Sequence, residues 1–482
     1  MSTVSKSKVI SSLAWKFFER MGSQAITFVL SVILARILTP EEYGTVALIT
    51  VFVSIATVFV QGGFNTALIQ SNKAKQEDYS SILFFSLIIA ALLYLVMFFS
   101  ASLIARFYNM PILIGVTRVL SLILFPGAFN SIQVAYVTKQ MQFKKLFVSN
   151  LISVTLSGLM GIVLAYNGAG IWAIVIQQIT LQFSSCIALL FISEWKPQFV
   201  FSMTAVRTLI PFGSKVLASN LLVTVFLNIR SLIIGRVYDA KSLAYFNRGK
   251  TFSSTIMDAI NGTIQTVMLP AYSNVQNDND KLLQMLRMSV NTSCYIIFPC
   301  LMGLAAVSSS IIILILTEKW KASIIYMQLF AISYMFQPIQ IASAQALKAI
   351  GRSDITLKLE IKRKAAEIIC LVVAIPISVK AIGISVVIAG FISTILCFPY
   401  NKKILGYSYR MQFEDIAPSL IMSVIMFVAV ELMMQFIANV WLQLIIGSFA
   451  GASIYILISI LTKNSSMLLI MQLIKNKLRG KK

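Results

Sequence analysis

The chain has 482 residues, 58% apolar and 12% charged, without a single histidine, and its mean hydropathy is +0.85. This composition excludes an ordinary water-soluble domain, and the lack of histidine excludes imidazole as base, proton relay or metal ligand. A net charge of +23 would suggest nucleic acid as partner of a soluble protein; here most of the excess falls where topology and anionic lipid headgroups place it, so the partner expected is membrane lipid and not nucleic acid.

A helix crossing a bilayer needs roughly 20 mainly apolar residues. Hydropathy predicts about fourteen such runs, hence an all-α polytopic membrane protein. The first spans 11–37 and carries Lys16, Glu19 and Arg20 in its first half. It closes on Leu34 to Gly44, LARILTPEEYG, which opens the second at 45–69. Runs at 80–105, 112–138, 146–166 and 169–193 follow, with Arg118 about two turns inside the fourth. The seventh, 208–234, holds Lys215 and Arg230; fifteen residues apart, they lie within about 60° of one another on a helix. The eighth, 243–270, begins with Arg248 and Lys250 and has Asp258 deeper in. The ninth, 285–316, is long enough for a helix plus a short extra segment. Runs at 321–347, 355–378, 381–399, 415–438 and 440–462 complete the set. The eleventh, 355–378, is crowded at its start by Lys358, Glu360, Lys362, Arg363, Lys364 and Glu367. It either projects into the cytoplasm or lines an inward-open vestibule.

Lys and Arg concentrate in alternate gaps and in both tails, which by the positive-inside rule puts both termini in the cytoplasm of an inner-membrane protein. Met1 to Lys8 runs directly into a full-length span, so no cleavable signal is expected. The tail from Asn464 has an apolar stripe beside a basic face, suited to a helix lying on the cytoplasmic leaflet. No phosphate-cradling GxxxxGK[ST] loop is present. Gly168 and Gly170 read as a tight turn, and Asp278 and Asp280 as a solvated loop without the glycine and glutamate of a calcium site. Five cysteines stand singly in apolar runs and read as small hydrophobes. No cofactor, metal or catalytic residue is expected, and the protein is not expected to be an enzyme.

An internal repeat organises the chain. Ile234 to Ala244 has the layout of Leu34 to Gly44: an arginine ending a span (Arg36, Arg236), a polar turn, then a small residue opening the next helix (Gly44, Ala244). Arg106 to Tyr108 matches Glu318 to Trp320, and Gly168 to Trp172 matches Lys380 to Ser385. The shared order predicts two six-helix lobes, 1–206 and 207–412, related by a pseudo-twofold along the membrane normal, with two further helices and the basic tail in 413–482.

The turn LARILTPEEYG, the run Gly62, Gly63, Phe64, Ala67 to Gln70, Phe143-Lys144, Gly170 to Ala173, Phe212 to Lys215, Tyr245 to Arg248 and Gly351 to Asp354 resemble the Wzx-type polysaccharide and O-antigen flippases, in particular the colanic-acid and teichuronic-acid branch. The resemblance covers nearly the whole chain, with Ala244 standing where relatives often have glycine. It implies the fold of the multidrug, oligosaccharidyl-lipid and polysaccharide exporter superfamily, and export of undecaprenyl-pyrophosphate-linked repeat units. Implied partners are the lipid-linked oligosaccharide, a polysaccharide polymerase and a chain-length regulator.

An ionisable group at the bilayer centre costs roughly 2.5 to 3.5 kcal/mol, so such groups usually face a wet interior. The cations Arg20, Arg118, Lys215, Arg230, Arg248 and Lys250 are therefore the candidate site for an anionic headgroup, with Arg20 and Lys215 brought together by the pseudo-twofold. Glu19, Asp258 and Glu367 are the candidate cavity or ion-coupling acids. Two other classes share parts of this pattern: an ion-coupled multidrug exporter, which should carry acids in place of these cations, and a membrane glycan polymerase or transferase, which should carry a catalytic base and a large outer loop.

Overall fold

The computed structural model describes residues 6–71, 75–464, 466–468 and 471–472, with side chains described outside 6–21 and 258–267. The chain is 86% helical and has no strand among the described residues. Nineteen α-helices follow one another: α1 (Lys6–Ile37), α2 (Pro40–Gln61), α3 (Phe64–Gln70), α4 (Gln76–Tyr108), α5 (Leu113–Leu120), α6 (Leu124–Lys139), α7 (Phe143–Tyr166), α8 (Ile171–Ile192), α9 (Met203–Val237), α10 (Ala240–Ser273), α11 (Asn279–Ala306), α12 (Ser308–Leu316), α13 (Ser323–Tyr334), α14 (Gln337–Ala349), α15 (Ser353–Ala374), α16 (Val379–Ile395), α17 (Phe398–Leu405), α18 (Tyr409–Met434) and α19 (Val440–Leu461). Among the described residues, eleven segments are long and apolar enough to span a membrane. The other three expected runs coincide with α1, α10 and α15. The ninth run divides into α11 and the short α12, as its length suggested.

Local chemistry sets the ends. The Thr39 side chain accepts from the Glu42 amide at 3.3 Å while the Glu42 carboxylate takes the Thr39 amide at 2.7 Å, so one capping box satisfies donors that the first turn of α2 leaves orphaned, and Pro40 stands where no donor is needed. The repeat keeps this function with other residues: the Asp239 carboxylate accepts from the Ser242 amide at 2.6 Å and from its hydroxyl at 3.0 Å. At the far end of α2, Gly62 (φ 54°) and Gly63 (φ 69°) take left-handed conformations that end the helix and let α3 restart. Asp278 caps α11 rather than standing in an open loop, its carboxylate accepting from the Lys281 amide at 3.1 Å. No cysteine among the five is in a disulfide; Cys186, Cys294 and Cys397 are buried, and Cys300 is exposed.

Two compact units are formed, Met1–Ala244 and Tyr245–Lys482. In the first, α7 packs on α1 and α8, and α9 packs on α2, α3 and α4. Glycines permit these approaches. A Cβ at Gly158 would overlap the Leu30 side chain, and one at Gly63 would lie 2.5 Å from the Gly213 carbonyl oxygen. Phe64, Tyr79, Leu83, Ile132, Trp195 and Val206 fill the core where α3, α4, α6 and the start of α9 meet. α9 contains Pro211.

In the second unit α11 is the central helix, packed against α13, α14, α18 and α19. Its core runs through Leu286, Val290, Ile297, Leu301, Met422 and Met426. The start of α11 is fastened to α18 by a bidentate pair: Arg287 Nε and Nη2 donate to the Asp415 carboxylate at 2.8 and 3.0 Å, and the Tyr407 hydroxyl donates to the same group at 2.8 Å.

Candidate functional site: a cationic column on α9

α9 is long and thinly covered. Only 11% of its apolar window is buried, against 50% for α11. Its packed face follows Val206, Gly213, Ser231 and Ile234. Ser214, Lys215, Ser219 and Asn220 lie on exposed parts of the surface, and Arg230 is half-buried. Because α9 is unbroken from Met203 to Val237, Lys215 and Arg230 keep the near-alignment expected from spacing and stand about 22 Å apart along the axis. That separation is too great for both cations to contact one small anionic group at the same time. No acidic residue occurs in α9.

Arg118 is held by its neighbour α4: its Nε donates to the Phe98 carbonyl at 3.4 Å and its guanidinium lies 4.2 Å from the Phe98 ring centre. That packing is worth about 0.5 to 2 kcal/mol, more as water is excluded. In the second unit Arg248 lies 5.1 Å from the Trp320 ring. The Tyr245 hydroxyl donates to the Lys319 carbonyl at 3.1 Å, steadying the same corner. Lys250 is half-buried two residues on. Arg20, Glu19 and Asp258 lie outside the residues whose side chains are described, as does most of the basic tail. Glu367 is bound by Lys364 at 2.8 Å.

Several charged groups at the start of α15 have partners within the fold. Arg363, 7% exposed, donates to Glu360 at 2.6 Å and to the Cys397 sulfur at 2.6 Å, and Lys362 donates to the Tyr400 hydroxyl at 2.8 Å. On another face Leu357, Ile361, Ile368, Ile369, Val372 and Val373 are all exposed, an apolar stripe about 24 Å long beginning at the level of those charges. Hydropathy averages over all faces and so hides this division; the i, i+4 spacing of Leu357, Ile361 and Ala365 into Ile369 was its signal.

The pairing of Arg287 with Asp415 was also missed. Both lie at the starts of their apolar runs, where a single charge leaves the window hydropathy high. Opposite charges one or two turns inside two span starts would have been the clue. Among the described residues no group of three acids or cysteines is placed to hold a metal ion.

These features define a helical multi-pass membrane protein with the fold of the MOP-type transporters. The solved structure of the lipid II flippase MurJ in an inward closed conformation superposes with a TM-score of 0.74 over 94% of this chain and 99% of that one, at 17% identity. An inward-facing multidrug MATE transporter of the MOP superfamily follows at 0.62, covering 80% of this chain and 94% of that one, at 15% identity. Residues 33–325 match the polysaccharide biosynthesis protein family, and the chain belongs to it.

Three curated relatives carry names from polysaccharide synthesis. The succinoglycan biosynthesis transport protein ExoT of Rhizobium meliloti is 24% identical over 69% of this chain and 67% of its own length. The teichuronic acid biosynthesis protein TuaB of Bacillus subtilis is 25% identical over 74% of each. The lipopolysaccharide biosynthesis protein WzxC of Escherichia coli is 23% identical over 84% of this chain and 83% of its own. The resemblance read from the sequence motifs is thus borne out, as is the all-helical superfamily fold.

Proposed function

We propose that this protein is a flippase that moves undecaprenyl-pyrophosphate-linked oligosaccharide units from the cytoplasmic to the periplasmic leaflet of the bacterial inner membrane, for surface polysaccharide synthesis. In this reading it has fourteen spans and cytoplasmic termini, and its lobes, 1–206 and 207–412, alternate in access while 413–482 is appended. It transports without catalysing a covalent step, and it works beside a polysaccharide polymerase and a chain-length regulator.

The observation that carries the reading is the cationic column on α9. Charged groups on a thinly covered spanning helix are tolerated where they border water, and Lys215 and Arg230 at two depths suit an anionic headgroup advancing along the helix. Arg binds phosphate through paired hydrogen bonds and Lys as a point charge. Arg20, Arg118, Arg248 and Lys250 complete the proposed cationic path. A carrier for cationic drugs would need acids here, and α9 has none.

The membrane potential favours this direction. Each negative charge moved outward across an inside-negative potential releases roughly 2.3 kcal/mol per 100 mV, and a pyrophosphate diester carries about two. Coupling to an ion would fall to Glu19, Asp258 or Glu367, the last only after release from Lys364.

The test is complementation of a flippase-null strain with Lys215→Ala, Arg230→Ala and Arg20→Ala, at matched membrane levels. Loss of surface polysaccharide is expected; full restoration by all three variants overturns the cationic path. In vesicles holding a labelled lipid-linked glycan, export should quicken with an inside-negative potential.

A further inference from the structure

The start of α15, the short α17 and the start of α18 form a basic, aromatic corner that the transport path does not use. Lys362 on α15 reaches α17, its ammonium 2.8 Å from the Tyr400 hydroxyl and 5.3 Å from the ring centre. Lys402 on α17 reaches α18, its ammonium 4.8 Å from the ring centre of Tyr409. Lys403 is exposed one turn from Tyr400.

Acids are present at this corner, but arginines hold them. Glu360 is bound by Arg363 at 2.6 Å, Asp354 by Arg352 at 3.1 Å and Glu414 by Arg410 at 2.8 Å. Asp354 is also under the charge of Lys358. Lys362, Lys402 and Lys403 have no carboxylate at ion-pair distance among the described residues. Tyrosine rings support two of these ammonium groups without neutralising them.

The bare apolar side chains of Leu357 and Ile361 lie on α15 directly beside Lys358 and Lys362. Cations at the head of an exposed apolar stripe match a molecule with a phosphate at one end and acyl chains at the other. We infer that this corner is a binding site for an anionic phospholipid of the cytoplasmic leaflet, its phosphate held by Lys362, Lys402 and Lys403 and its chains laid along the α15 stripe. The Tyr400 hydroxyl orients the Lys362 ammonium, and Tyr409 does the same for Lys402 through its ring face. The inference rests on the membrane orientation proposed above, but not on the nature of the cargo.

The full chain, delipidated in detergent, is titrated with phosphatidylglycerol, phosphatidylethanolamine or a polyprenyl pyrophosphate, and bound lipid is counted by native mass spectrometry. Phosphatidylglycerol should bind at least about tenfold more tightly than phosphatidylethanolamine. The triple variant Lys362→Gln, Lys402→Gln, Lys403→Gln should lose that preference, and Tyr400→Phe should weaken it in part. Lys281→Gln, on an exposed lysine paired with Asp278, should leave it unchanged.

An undiminished preference in the triple variant overturns the site. So does a polyprenyl pyrophosphate that displaces phosphatidylglycerol from the wild type and not from the variant, since the corner would then receive cargo. Because all three lysines are exposed, the variant's elution and unfolding midpoint should match the parent. Failure of the transport reading would show separately, as normal export by the Lys215 and Arg230 variants with this lipid preference intact.

Discussion

Gly44, in the second turn of α2, and Ala240, the first residue of α10, touch backbone to backbone: a Cβ on Gly44 would overlap the Ala240 carbonyl. The two turns that repeat in the sequence therefore meet in space. The approach continues along α2 and α9, where a Cβ on Gly235 would overlap the Leu48 side chain and one on Gly63 would come within 2.7 Å of Val216 Cβ.

Bulk at this seam should be costly. Gly44→Leu meets a carbonyl that cannot rotate away, and Gly63→Leu adds the strain of a left-handed backbone. Overpacking costs about 1 to 3 kcal/mol where neighbours can yield, and more is expected at both sites. The check is the unfolding midpoint of purified protein, with Gly127→Ala as control because a Cβ there meets nothing within 4 Å. An unchanged midpoint for Gly44→Leu would refute the close approach.

Lys215 and Arg230 should act independently. Each charge-assisted contact is worth about 1.5 to 3 kcal/mol, so each alanine variant should slow transport about tenfold to a hundredfold. At about 22 Å apart they are beyond the range of direct coupling. Transport rates of the double variant should be close to the product of the single losses; a double no worse than either single would place both at one contact.

Asp415→Asn should destabilise the second unit by about 1.5 to 3 kcal/mol, because Arg287 and Tyr407 lose a charged acceptor while Glu414, 4.0 Å away, and solvent still screen the guanidinium. Replacing both, Arg287→Met with Asp415→Leu, should cost less than either single change. Unfolding midpoints of the three variants form the comparison. Equal midpoints for parent and Asp415→Asn would reduce the pair to a surface contact.

Glu194 supplies a test in pH. The Lys145 ammonium, 2.7 Å away, holds its carboxyl below the usual glutamate value by hydrogen bond and charge, aided by Gln142. A depressed folded value means the contact stabilises fully above the unfolded glutamate pKa of about 4.3 and is lost as pH falls through the lower folded value. Glu194→Gln should therefore lower the unfolding midpoint at pH 7, with the gap to the parent closing below pH about 4. A gap that persists in acid would assign the effect to packing.

The helical class and most span positions were legible because apolar runs of bilayer length have few other solutions. The repeat was legible at Thr39 and Asp239 because both are helix caps, a job that permits few residue types. What escaped was whatever depends on two distant runs meeting. Arg287 and Asp415 are 128 positions apart, and neither is unusual alone. Lys362 read as one charge in a crowd, while the structure puts it on Tyr400. Lys215 and Arg230 lie within about 60° by spacing, and the unbroken α9 that carries both turns that angular match into a separation along the axis.

Pro211 bears on how α9 responds to load. Its ring offers no amide proton, so the Arg207 carbonyl lacks the helical donor it would otherwise have. The first two turns of α9 are thereby joined to the part that carries Lys215 by one backbone hydrogen bond fewer than elsewhere in the helix, so bending costs least there. A bend at this level would displace Met203 to Ile210 while Lys215 and Arg230, both beyond it on the same helix, keep their spacing.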